Sequence, residues 1–146
     1  MKKYIGIWLD HKKAYIVTLI KEELASEEDR EIIELVHSNV DRKVKLSGGS
    51  RTRKTPYGPQ NVAVDGKKEF QIRRQLKNFY KSIINKVKDA VRIYIFGPGE
   101  AKIELKKEIE KSIELASRIK AVETADKMTA KQITARVREV FASYLE

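Results

Sequence analysis

An α/β fold with a mixed five-stranded sheet is the architecture this chain predicts, and three observations carry it. Three β-branched and aromatic runs occupy the first forty residues. After a long polar stretch the apolar period lengthens to 3.6, the mark of an amphipathic helix. From there strand-like and helix-like segments alternate, which implies parallel strands joined by crossovers.

The first two runs are Tyr4-Ile5-Gly6-Ile7-Trp8-Leu9 and Ala14-Tyr15-Ile16-Val17-Thr18-Leu19-Ile20. Asp10-His11-Lys12-Lys13 between them is short and polar, so they form an antiparallel hairpin. An acidic turn from Glu22 to Glu31 leads to the third strand, Ile32 to Ser38, which Val44 to Leu46 extend beyond a bulge. Ile72, Leu76, Phe79, Tyr80, Ile83, Ile84 and Val87 then make one stripe of a long helix, opposite a basic stripe of Arg74, Lys77, Lys81 and Lys88. Val91 to Phe96 form a fourth strand, and Gly97-Pro98-Gly99-Glu100 turns into a helix with Leu105, Ile109, Ile113 and Ala116 inward. Ile119 to Val122 make the fifth strand. Thr129 and Gln132 have capping-box spacing for a last helix that buries Ile133, Val137, Val140, Phe141 and Tyr144. Three antiparallel strands followed by a βαβα half give a ribonuclease H-like sheet with flanking helices. At 146 residues the chain is expected to be a single domain, residues 1–146.

Charge is distributed unevenly. Residues 42–88 hold 14 Lys or Arg against two acids, Asp65 and Glu69, for a net of +12, whereas residues 1–41 carry −3 and residues 89–146 carry +1. A single-sign field confined to a third of the chain steers an anionic partner, and solubility alone does not require the signs to be separated. Within this segment lies a long stretch, about 47–66, rich in glycine, proline and hydroxyl residues. It reads as a functional loop. Glycine lets its backbone approach a ligand closely, and Arg51, Arg53 and Lys54 supply donors for phosphates. Tyr57, between Thr55-Pro56 and Gly58-Pro59, is placed to stack on an unpaired base. Arg73, Arg74, Lys77 and Lys81 of the helix that follows extend the same basic surface. RNA is the expected partner.

The element order, the Gly48-Gly49 loop after the third strand, the Arg73-Arg74 helix and the Phe96-Gly97-Pro98-Gly99-Glu100-Ala101-Lys102 turn resemble the middle domain of eukaryotic and archaeal peptide-chain release factors and their Pelota relatives. The resemblance spans nearly the whole chain, with the strand, Gly-Pro-Gly and helix-start Lys as its most specific piece. It implies a ribonuclease H-like fold, a place in translation, and contact with ribosomal RNA or tRNA through Gly48, Gly49, Ser50 and the basic residues after them. In that family the loop carries Gly-Gly-Gln to the peptidyl transferase centre. Here Ser50 stands where the glutamine would be, and a serine hydroxyl lacks the reach to position water at a peptidyl ester. The expectation is therefore a binding protein with no catalytic residue, Gln60 being the nearest substitute. A peptidyl-tRNA hydrolase or ribosome rescue factor working through Gln60 is the main alternative. The domain that reads codons in that family has no room in this length.

Two further alternatives remain open. A ribonuclease H-like nuclease would bring Asp10, Glu34, Glu69 and Glu100 together on metal ions, although an Asp between hairpin strands is commonly a turn residue. A non-enzymatic domain would dock an acidic protein on the basic surface. His11 and His37, one in a turn and one in a strand, do not have zinc-ligand spacing, and the chain has no cysteine. Neither a metal nor another cofactor is expected. Trp8 and Tyr94 read as core residues. No apolar run approaches the roughly 18 residues of a membrane span, and the start of the chain lacks a signal-peptide pattern, so a cytoplasmic location is expected.

Overall fold

The computed structural model describes residues 1–40 and 58–146, the side chains of 58–65 excepted. Its strands are β1 (Lys2–Leu9), β2 (Lys13–Lys21), β3 (Arg30–His37), β4 (Arg92–Gly97) and β5 (Ile119–Thr124). Its helices are α1 (Gly58–Val87), α2 (Ala101–Ile109), α3 (Ile113–Ala116), α4 (Ala130–Val140) and α5 (Ala142–Leu145). The five strands form one sheet in the order β3-β2-β1-β4-β5. β2 runs antiparallel to both of its neighbours, and β1, β4 and β5 are mutually parallel. This is the mixed five-stranded sheet the periodicities predicted.

Alternation along the strands sends successive side chains to opposite faces. Ile5, Ile7 and Leu9 of β1 and Ile93 and Ile95 of β4 pack under α1 and α2, with Leu76, Phe79, Ile83, Val87 and Leu105. Tyr4 and Trp8, with Tyr94 and Phe96, turn to the other face and meet Ile133, Val137 and Phe141. Trp8 and Tyr94 are therefore core residues, 1% and 0% exposed. Between Tyr4 and Trp8, Gly6 lets α4 come down on the sheet: a Cβ there would lie 2.2 Å from Val137 Cγ2. Thr129 caps α4 with both halves of the capping box formed by Gln132.

Two expectations need correction. The loop foreseen to about residue 66 gives way to helix at Gly58. Pro59 suits the first turn because its missing N–H has no intrahelical acceptor there, and 60–65 contain no breaker. Gly66 alone is too weak a signal to stop a helix that is anchored downstream. The second correction concerns Ile113, expected inward and found 89% exposed. α2 ends at Ile109, and Ser112 starts a new turn by accepting a hydrogen bond from the Leu115 N–H. The break resets the phase, so Leu115 packs against the core instead. The expected β3 extension, Val44 to Leu46, lies outside the described residues.

Candidate nucleic-acid interface

Where α1 stands relative to the sheet follows from the contacts at its two ends. Near its carboxyl end, Asp89 accepts a hydrogen bond from Lys3 Nζ at 2.7 Å, and Val91 N–H donates to the Lys3 carbonyl, both at the start of β1. Seven residues before Val87, the Tyr80 hydroxyl donates to Glu104 Oε1 at 2.5 Å, and His11 Nε2 lies 3.1 Å from the same oxygen, just past the end of β1. The helix thus runs antiparallel to β1, its carboxyl end at the start of that strand and Tyr80 toward the other end. Upstream of Tyr80 the helix heads toward the carboxyl ends of β1 and β4, with Phe79, Leu76 and Ile72 still against the core. Among the described side chains of α1, Ile72 is the first packed against the core and Leu76 the first buried one, so 58–71 amount to about 21 Å of helix at 1.5 Å per residue. In α/β sheets the carboxyl ends of parallel strands are where ligands gather.

The outer face of α1 is cationic and exposed. Lys67, Arg74, Lys77 and Lys81 fall on the side of α1 away from Leu76, Phe79, Ile83 and Val87 at 100° per residue, Arg73 lies at its flank, and all five are exposed, Lys77 and Lys81 over the docked part of the helix. In the middle of that face is Phe70, 62% exposed. With Gly66, Lys67, Gln71 and Arg74 it lines a depression of about 480 Å³. The sequence reading chose Tyr57 as the stacking residue and overlooked Phe70. The signal was present, since among the described side chains of this helix Phe70 is the one large apolar residue outside the buried stripe.

Lys102, the helix-start lysine, does not join the cationic face. It is only 6% exposed, and its Nζ donates to the Gly99 carbonyl at 2.5 Å, closing the turn after β4. That turn needs glycine: Gly97 has φ +148°, and a Cβ on it would lie 2.2 Å from the Leu9 carbonyl oxygen. Glu104 is the hub linking the β1–β2 turn, α1 and α2, and sequence reasoning assigned it no role. Asp10 is a turn residue, its Oδ1 accepting from the Lys12 and Lys13 N–H groups. Glu34 is ion-paired with Lys86. No three His, Asp or Glu side chains among the described residues are grouped to hold a metal ion, so Asp10, Glu34, Glu69 and Glu100 form no metal cluster.

The remaining sequence-derived site residues, Gly48, Gly49, Ser50, Arg51, Arg53, Lys54 and Tyr57, lie outside the described residues. Gln60 is in the first turn of α1 by its backbone. No helix among the described residues is long and apolar enough to cross a membrane.

No protein-family model matches the sequence, and no curated protein matches it. Solved structures do. The archaeal translation termination factor aRF1 superimposes over 97% of this chain with a TM-score of 0.52 and 10% identity. The Pelota protein of Thermoplasma acidophilum does so over 99% with a TM-score of 0.47 and 15% identity. The chain spans 39% of the termination factor and 33% of the Pelota protein. At these identities the likeness is one of fold, and the chain has the fold of a release-factor-like domain.

Proposed function

We propose that the chain is an RNA-binding protein associated with translation, which grips ribosomal RNA or tRNA phosphates with the overhanging half of α1 and the basic segment before it. The cationic, exposed outer face of α1 is the observation that supports this most. Four lysine and arginine side chains on one helical face, with Arg73 at its flank, match a phosphate backbone in sign, and Phe70 among them offers a surface for one unpaired base. Arg51, Arg53, Lys54 and Tyr57 act with them in this reading, and Gly48, Gly49 and Ser50 let that segment enter a confined channel. The fold shared with a termination factor favours the ribosome as the setting.

Co-sedimentation with ribosomes over a salt series is the test. Binding should weaken steeply with salt, on the order of 10²-fold between 50 and 200 mM for about four phosphate contacts. Binding unchanged when Arg51, Arg53 and Lys54 or Arg73, Arg74, Lys77 and Lys81 become Ala would sink the proposal. Peptide release from loaded ribosomes, lost on Gln60→Ala, would replace it with the rescue-factor reading.

A further inference from the structure

Strand β3 is at one edge of the sheet and, among the described residues, pairs only with β2. It carries three exposed large apolar side chains, Ile32 at 48%, Ile33 at 47% and Leu35 at 44%. Natural edge strands are blunted by charged side chains, above all lysine, by proline or by a bulge, and the two carboxylates of β3, Glu31 and Glu34, are ion-paired with Arg138 and Lys86. Between Arg30 and His37 there is no lysine or proline, and the pairing with β2 runs unbroken over eight residues. We propose that this edge pairs antiparallel with β3 of a second copy of the chain, about a two-fold axis through Glu34, so that one sheet runs through a dimer.

The register identifies the occupant. A two-fold axis perpendicular to a continuous sheet keeps the α1 face on the same side in both copies, so facing residues must differ in number by an even count. The axis then passes through a residue that meets itself. Centred on Glu34, the register places Ile33 opposite Leu35 of the second copy and Ile32 opposite Val36, each pair occurring twice, while Glu31 meets His37. Centred on Ile33, it would set Ile32 against Glu34 and Glu31 against Leu35, apolar side chains against charge. Of the two, the Glu34 register sets every apolar side chain from Ile32 to Val36 against an apolar one, at the cost of opposing Glu34 to itself. The two Glu34 carboxylates at the axis are each ion-paired with their own Lys86, which makes a cluster of two positive and two negative charges. Such self-complementarity is what an isologous interface requires.

The intact chain is tested by sedimentation equilibrium, with circular dichroism to verify folding. A dimer is expected at micromolar concentration, and the Ile33→Lys, Leu35→Lys double variant should raise its dissociation constant by on the order of 10² or more while remaining folded. Because the chain has no cysteine, single Glu34→Cys and Ile33→Cys variants report the register under mild oxidation. Glu34→Cys should cross-link to itself, and Ile33→Cys should not, since facing Cβ atoms are about 4.5–5.5 Å apart. A monomer up to about 100 μM, assemblies larger than two, a dimer untouched by the lysines, or cross-linking through Ile33→Cys in preference would each overturn the proposal.

Discussion

From Leu76 to Val87, α1 buries five side chains, Leu76, Phe79, Tyr80, Ile83 and Val87, against the sheet. From Gly66 to Gln75 the same helix buries none fully, and most of its side chains are exposed. The two halves differ in what holds them. A helix is costly to nucleate and cheap to extend. The docked half, held by packing, supplies the nucleus, and the overhang is propagated from it. Side chains beyond the core are released from packing and can be chosen for charge, which is where Lys67, Arg73 and Arg74 occur. Leu76 is the border of burial: from it on, one face of the helix answers to the core while Lys77 and Lys81 keep the outer face cationic.

The largest expected effect tests the docked half. Ile83, on the buried face of α1, is 0% exposed, so Ile83→Ala should cost about 2–5 kcal/mol in urea unfolding while RNA affinity of the folded protein stays unchanged. A cost under about 1 kcal/mol would mean that the helix is not anchored there. Joint replacement of Arg73, Arg74, Lys77 and Lys81 by Ala should do the reverse. Stability should move by no more than about 0.5 kcal/mol per site, whereas the slope of log affinity against log salt should become shallower by about 3. Next comes Phe70→Ala, which should weaken binding to single-stranded RNA by about 1–3 kcal/mol with the salt slope intact. Loss of folding stability instead would turn Phe70 into a packing residue and blur the border. Smaller again, Gly66→Ala should stabilise the overhang by about 1 kcal/mol, because an added Cβ meets nothing within 4 Å. Slower amide exchange confined to the turns around it is the expected readout.

How much of this was legible in the sequence follows the same border. The docked half of α1, all five strands and the capped α4 were readable because a buried face imposes a period, and burial is what hydropathy patterns report. The start of α1 was misread for a complementary reason. Glycine and proline mark a loop in most contexts, yet Gly58-Pro59 opens a helix and Gly66 sits within one because a long anchored helix downstream overrides local preference. Ile113 was placed inward because periodicity was carried through Ser112, where a side-chain cap restarts the helix. In the candidate site the charges were countable, but the position of the overhang was not. It depends on Tyr80 and His11 meeting at Glu104, a contact between residues 24 and 93 positions apart in pairs, which no local pattern encodes. Phe70 was legible in principle as an apolar residue off the buried stripe.

The smallest effect sharpens the comparison at the far end of the docked half. The Lys3 ammonium, by donating a hydrogen bond to Asp89, holds that carboxyl below the ordinary carboxylate value. A carboxyl with a depressed folded-state pKa adds stability that is present above its unfolded value, near 3.9, and is lost as pH falls through the lower folded value. Both partners are partly open to water, with 27% and 56% of their side chains exposed, so screening keeps the contribution under about 1 kcal/mol. Between about pH 4 and the folded pKa, Asp89→Asn should therefore flatten a small part of the acid-side fall in stability and leave the neutral-to-alkaline side parallel to that of the parent protein. Since the pair ties the carboxyl end of α1 to the start of β1, acid should first quicken amide exchange around 85–90 and leave the exchange of Gly66 to Gln75 unchanged. Simultaneous loosening of both halves would show that the helix moves as one rigid rod, and the border at Leu76 would then describe burial without separating two stabilities.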